Sequence, residues 1–347
     1  MKKIISIFML CILSVALVAC GGESSDSNKT VTEKAEVEDS AEVDGLATST
    51  EKEDTDFVEI EYVDIPEFNK DVSVSETVLL EEKEVVVKVT GITYDDYYAQ
   101  LHFKIENNSD DTYVLSSGYL GKESVSINGC MISSGYMDVT VAPGETVESV
   151  MEFSICEMKS KGIYEIYEFS IGFGLMVEGD YNNVDRYWPF YVQTSSSVKS
   201  NSVSYRDVLQ NGIYGSLYDC KLLNLTQDNL YSQNGVSIVS EALIVDEYGN
   251  LSLLLELENK SQDNYIVYID NVYINGILVC DSGFSKDSLN PSTMNIVEME
   301  LHRYIGADSE YGIDEIENIS FDVQLRNDSY EEVVEFITVE YPIDFLD

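Results

Sequence analysis

The pattern of apolar and polar positions divides the chain into three regions. Residues 4–18 form an apolar stretch, with Ser6 and Ser14 inside it, behind Lys2 and Lys3. It is too short to span a bilayer comfortably and is built like the front of an export signal. Residues 23–56 are rich in Ser, Thr, Glu and Asp, with almost no large apolar side chain. Such a segment buries too little apolar surface to offset the entropy of ordering it, which predicts a disordered, self-repelling linker. From Phe57 onward, short runs of Val, Ile, Tyr and Phe alternate with turn residues, the period of half-buried strands. Strands are predicted over 85–92, 100–105, 124–128, 146–155, 168–176 and 187–192. A second series follows over 236–244, 252–257, 265–269, 272–279, 295–301, 319–325 and 333–339. Asn234-Gly235 predicts a tight hairpin, and Gly172-Phe173-Gly174 inside a strand predicts a bulge. Only one short helical turn is predicted in each half, near 156–162 and 302–312.

The two series are copies of one unit. Ile105-Glu106-Asn107-Asn108-Ser109 returns as Leu257-Glu258-Asn259-Lys260-Ser261, with Asp111, Tyr113 and Val114 returning as Asp263, Tyr265 and Ile266. Ile127-Asn128-Gly129 matches Ile274-Asn275-Gly276, Pro143 matches Pro291, and Gly162-Ile163 matches Gly312-Ile313. The period is about 150 residues. About seven strands per copy, with turn signals between them, predict an all-β chain of two tandem immunoglobulin-like β-sandwiches. We place them at 57–195 and 196–347, the second opening on a polar, Ser-rich joint.

The apolar leader ends in Leu17-Val18-Ala19-Cys20, which resembles the lipobox of bacterial lipoproteins. The resemblance implies a signal peptide over 1–19, cleavage before Cys20, and a diacylglycerol, with or without an N-acyl chain, on that cysteine. The acidic linker would then cover 20–56 and hold the folded part away from the membrane. Further on, the VKVTGI strand (87–92), the IENNS end of the next strand, Ser126-Ile127-Asn128-Gly129-Cys130, Ala142-Pro143-Gly144-Glu145 and Gly162-Ile163-Tyr164-Glu165-Ile166 follow one another in order. This order resembles the immunoglobulin-like domains of unknown function in Gram-positive lipoproteins. The second copy departs at one turn, where it has Asn290-Pro291-Ser292. The resemblance implies fold and an extracytoplasmic, membrane-anchored location, and its motifs are structural rather than catalytic.

Charge narrows the partners. The chain carries 20 basic and 64 acidic side chains, a net charge of −44. About −10 of this lies in 21–60 and about −36 in 61–347, so the acidity coats the folded part as well as the linker. Phosphate binding needs a basic face, so nucleic acid is not an expected partner, and neither is adhesion to anionic lipid through a basic patch. A partner must be cationic, neutral or reached through a metal.

Few residues carry chemistry. His102 and His302 stand at unrelated positions without metal or triad spacing. Cys130, Cys156, Cys220 and Cys280 show no CxxC pair. They could form Cys130–Cys156 and Cys220–Cys280 disulfides or remain four thiols, the reading we favour. Asp95, Asp96, Asp110 and Asp111 are loop acids of the kind that ligate Ca²⁺, although no DxDxDG loop is present and solvated acids are the plainer reading. Tyr97, Tyr98 and Trp188 are candidate binding aromatics, set against a packing role for the 187–191 run. No catalytic residue and no cofactor is expected. The expected function is non-enzymatic binding or scaffolding at the cell surface, toward a protein or cell-wall ligand. A carbohydrate module using loop aromatics is the alternative, with a surface hydrolase behind it.

Overall fold

The structure is a computed structural model that describes residues 59–117, 125–201, 203–281, 283–305, 311–313, 315–327 and 331–343. The predicted signal peptide, Cys20 and the whole of the predicted linker lie outside the described residues. The first repeat contains β1 (Thr77–Glu82), β2 (Val85–Tyr94), β3 (Tyr98–Asn107), β4 (Tyr113–Ser117), β5 (Val125–Ile127), β6 (Cys130–Ile132), β7 (Met137–Val141) and β8 (Thr146–Ser154). Helix α1 (Ile155–Ser160), β9 (Glu168–Val177) and β10 (Asp185–Gln193) complete it. Helices α2 (Tyr205–Gln210) and α3 (Ile213–Tyr218) lead into β11 (Cys220–Gln233), β12 (Val236–Asp246) and β13 (Leu251–Asn259). Then come β14 (Tyr265–Ile274), β15 (Ile277–Cys280), β16 (Ser285–Leu289) and β17 (Thr293–Glu300). A 3-10 turn (His302–Tyr304), β18 (Asn318–Arg326) and β19 (Glu332–Pro342) follow. The fold is all-β.

In each repeat two sheets face one another. The order β1-β2-β3-β8 opposes the sheet built on β9, and β11-β12-β13-β17 opposes β15-β14-β18-β19. Strand alternation explains the cores. Val85, Val87, Val89, Leu101, Phe103 and Ile105 meet Phe169, Ile171, Phe173 and Leu175 in the first repeat. Ile238, Leu253, Leu255 and Leu257 meet Val267, Ile269, Phe321 and Val323 in the second. Each such side chain contributes about 1.5–3 kcal/mol by leaving water.

The repeated motifs are repeated hydrogen-bond devices. Asn107 is fully buried; its Nδ2 donates to the carbonyls of Asp111 (2.8 Å) and Val141 (2.9 Å), and its Oδ1 accepts from Ser109 N (3.0 Å). Asn259 does the same with Asp263 O (2.9 Å), Leu289 O (3.0 Å) and Ser261 N (2.9 Å). Asn128 and Asn275 open type I′-like turns with φ of 54° and 52°, each followed by a glycine at 78°. Both clamp the segment entering a later strand, β9 or β18: Asn128 Oδ1 accepts from Tyr167 N (2.9 Å), and Asn275 Oδ1 from Glu317 N (2.8 Å). The divergent turn keeps its shape as well. Ser292 takes the left-handed φ (58°) that Gly144 takes (73°) in the first copy.

Other expectations need correction. Two helices, α2 and α3, follow the polar joint where no helix was predicted, and α2 has a capping box: Ser204 Oγ accepts from Asp207 N (3.1 Å), while Asp207 Oδ2 accepts from Ser204 N (3.2 Å). Strands β1, β4, β6, β7, β11 and β16 were missed. In β11 the pairing register with β12 shifts at three places, which destroys the two-residue period. The strands predicted over 265–269 and 272–279 are one strand, β14, bent at Asp270–Tyr273, followed by the Asn275-Gly276 hairpin into β15. The bulge expected at Gly172 is in its partner: Phe173 pairs with Tyr187 and Ile171 with Phe190, so Trp188 and Pro189 together stand opposite Gly172. The Asn234-Gly235 hairpin is present, with Gln233 paired to Val236.

The repeats also share a sheet. Strand β6 of the first pairs in parallel with β17 of the second at Cys130 and Met294, where Met294 N donates to Gly129 O at 2.9 Å. Ten strands become one continuous sheet. Met131, on the β6 hairpin, is buried in the core of the second repeat.

Candidate functional site

Helices α2 and α3 lie on the outer face of β11-β12-β13. Tyr205, Val208, Leu209, Ile213 and Tyr214 cover Ala242, Ile244 and Leu254 there, forming a third apolar cluster. An N-terminal strap, residues 59–65, crosses α3. Val63 N donates to Ser216 Oγ (2.8 Å), Tyr62 Oη donates to Asp219 Oδ1 (2.9 Å), and Ile65 packs on the cluster. Asp219 closes α3 in a left-handed conformation (φ 52°). The next residue, Cys220, pairs with Asp246, so Asp219 faces the β12–β13 turn. Asp246 Oδ1 shapes that turn by accepting from Tyr248 N (2.9 Å) and Asn250 N (2.8 Å).

Strap, α3 and β11 enclose a groove of about 350 Å³. Leu209, Tyr214, Leu222 and Ile244 supply its apolar floor, with Glu59 and Glu61 at the rim and Lys221 as a cation beside them. Next to it Tyr62 is 64% and Tyr248 73% exposed. A hydrogen bond to Asp219 raises the phenol pKa of Tyr62, and one to Glu247 raises that of Tyr248, because both carboxylates oppose a second negative charge. The electrostatics therefore favour a cation near these rings, and an exposed tyrosine face provides a weak further attraction for one.

Beneath α2 the charge is handled differently. Glu241, the extra residue of a β-bulge between Ser240 and Ala242, is buried. Burial first, then the neighbouring Glu256, push its pKa up to about 7, against the pull of Arg206 at 3.8 Å. Arg206 Nη1 also donates to Thr226 O at 2.6 Å. The thiols are held protonated by burial, Cys220 pushed up to about 12 and Cys130 to about 11, with Cys156 raised as well. Among the described residues Cys130, Cys156, Cys220 and Cys280 all carry thiols; neither the Cys130–Cys156 nor the Cys220–Cys280 bridge is formed.

The residues singled out from the sequence do not converge. Asp95 and Asp96 lie at the β2–β3 turn and Asp110 and Asp111 beyond the other end of β3, about 30 Å apart along a ten-residue strand. Asp95 Oδ1 accepts from the backbone N–H of Tyr97 and Tyr98, both at 2.7 Å, which holds its carboxyl below the usual range. Asp96 pairs with Lys70 at 3.2 Å. Among the described residues, no group of three or more His, Cys, Asp and Glu side chains is arranged to hold a metal ion. Tyr97 is 71% exposed and Tyr98 39% exposed. Trp188 stands on β10, in the opposite sheet, part-buried beside a cis Trp188–Pro189 bond. His102 lies in β3 with Nε2 2.7 Å from Thr93 Oγ1, and His302 opens the 3-10 turn. The groove was not anticipated, because its walls come from Glu59 and Glu61, the α2–α3 segment, the start of β11 and Ile244 of β12, which share no local motif.

No family model matches the chain. No curated protein matches it either. Among solved structures, an anti-sigma factor domain-containing protein is similar over 71% of this chain and 83% of its own, at 12% identity and a TM-score of 0.14. A likeness of that size carries no argument about fold or function.

Proposed function

We propose that the chain is a membrane-anchored, extracytoplasmic lipoprotein whose two tandem immunoglobulin-like β-sandwiches act as a non-enzymatic binding module for a cationic partner. The observation that carries this reading is the groove: an apolar floor, carboxylates at its rim and two exposed tyrosines held beside them. Raised thiol pKa values and the lack of convergence among His102, His302 and the loop acids support binding over catalysis. The lipobox at Leu17–Cys20 supports the anchor and the extracytoplasmic location.

Two measurements test it. Cys20→Ser in the full chain should move the protein out of the membrane fraction and abolish labelling by a lipid probe; retained labelling refutes the anchor. Calorimetric titration of the full chain with tetralysine, and with the same peptide acetylated on every side chain, tests the groove. Tetralysine should bind, the acetylated peptide should not, and Tyr62→Ala/Tyr248→Ala should weaken binding about tenfold, a loss of about 1.4 kcal/mol. The exposure of Tyr97 and Tyr98 favours a second reading, a cell-wall or carbohydrate module. Under it, Tyr97→Ala/Tyr98→Ala and not the groove variant would abolish retention on cell-wall polysaccharide.

A further inference from the structure

The seam inside the chain has two free counterparts at its ends. In the seam, the hairpin Asn128-Gly129 and strand β6 meet the start of β17, with Cys130 opposite Met294. At that contact Cys130 is 2% exposed, within the first repeat's core, and Met131 is 4% exposed, within the second's. The repeat register places Ile277 and Leu278 at the same two positions of the second copy, after Asn275-Gly276. There they are 41% and 42% exposed, two adjacent apolar side chains at a hairpin tip. Strand β15, which carries them, is the edge of its sheet among the described residues. The register likewise makes Thr146, at the start of β8, the counterpart of Met294. Strand β8 is also an edge among the described residues, and Thr146 is exposed.

We propose that the chain binds a second copy of itself head to tail, the β15 edge of one molecule pairing in parallel with the β8 edge of the next as β6 pairs with β17 within one molecule. An exposed strand edge is a template for exactly this kind of addition. The occupant is specified by the internal seam, which is the same joint already formed once between the same two kinds of strand. Hairpin geometry supports it: Asn275 and Gly276 hold φ of 52° and 78°, matching Asn128 and Gly129 at 54° and 78°. The support beneath the hairpin comes from the same repeat position, one carbonyl further along. Lys161 Nζ donates to Met131 O (2.7 Å) in the first copy, and its counterpart Tyr311 donates through Oη to Val279 O (3.1 Å) in the second. Because the two half-surfaces differ, the contact is heterologous and adds copies in one direction, as an open array or a ring. A net charge of −44 opposes it, so the association is weak and strengthens with salt.

Cysteine cross-linking in the purified full chain tests the pairing. Ile277→Cys and Thr146→Cys correspond to the Cα partners Cys130 and Met294, which lie within disulfide reach. Both positions are exposed, so the fold should tolerate the changes, and circular dichroism checks this. Treated with diamide, the double variant should give a ladder of dimers, trimers and higher species, stronger at about 0.5 M than at about 0.05 M NaCl. Each single variant should stay at the wild-type background, and a mixture of the two should give dimers and stop there. Leu278→Glu in the double variant should reduce the ladder about tenfold. Monomer alone from the double variant, or dimers from Ile277→Cys by itself, overturns the proposal.

Discussion

The outer faces of the two β2-type and β3-type strands show how one scaffold acquires two surfaces. In the first repeat this face is open and polar. Gln100 donates to Glu152 (2.9 Å), His102 meets Thr93 (2.7 Å), and Lys88 and Lys104 share Glu106 (3.1 and 2.7 Å). In the second, the same positions read Ser252, Leu254 and Glu256, and α2–α3 lie over them. The β-bulge recurs between Val89 and Gly91 and between Ser240 and Ala242, but its extra residue is exposed Thr90 in one copy and buried Glu241 in the other. The inward face and the turns are held constant, and the groove of about 350 Å³ lies where the α2–α3 hairpin covers the outer face.

The sharpest way to break this comparison is to exchange the residues that define it. Leu254→His puts a polar ring under α2–α3 and removes a fully buried aliphatic side chain; it should cost about 3–5 kcal/mol in urea unfolding. The reverse change, His102→Leu, alters only an open face and should stay within about 1 kcal/mol. Comparable losses would mean that the two faces are not different environments. Next come the shared turns. Asn107→Ala and Asn259→Ala each leave buried carbonyls without donors and should each cost about 2–4 kcal/mol, with matching values if the devices are equivalent. A twofold disparity would show that one repeat carries more of the stability than its geometry suggests.

The smallest effect is in pH. The folded-state pKa of Glu241 lies above the ordinary glutamate value, so the folded chain holds that proton more tightly than the unfolded chain does. Its contribution to stability is complete below the ordinary range and is lost as pH rises through about 7. Glu241→Gln should therefore match the parent near pH 4.5 and melt about 3 °C higher or more at pH 8, read as the difference between two melting curves. Thr90→Glu, at the exposed counterpart, should introduce no such slope. Equal slopes at the two bulges would remove burial by α2 as the cause.

Much of this scaffold was legible because its signals are local. Alternation placed most strands, Asn234-Gly235 placed a hairpin, and the Asn107 and Asn259 motifs placed the repeat. Strand β11 escaped because its register shifts cancel the alternation, and α2 because a six-residue helix has too few turns for a helical period to emerge. Its start was nonetheless written at Ser204 and Asp207, and the change from His102 to Leu254 marked a face that must be covered. The groove was out of reach, since the strap, the α2–α3 segment and the β11–β12 pair come together only through tertiary packing. Loop acids drew attention as metal ligands, but Asp95 spends an oxygen on two backbone N–H groups and Asp96 sits against Lys70.

The strap over α3 has a mechanical consequence. Counted along the chain, residues 59–65 precede β1, yet their contacts are with α3 and its surroundings at the head of the second repeat. Only afterwards does the chain reach the first repeat, where Asn69 N donates to Tyr164 O (2.8 Å) and Val74 bridges Thr194. Tension applied at the N-terminal side would therefore act first on the Tyr62–Asp219 and Val63–Ser216 bonds. The groove wall would yield before any strand of the sheets is loaded, so under the proposed binding role a bound partner and a pull on the chain would act in opposite senses on the same few contacts.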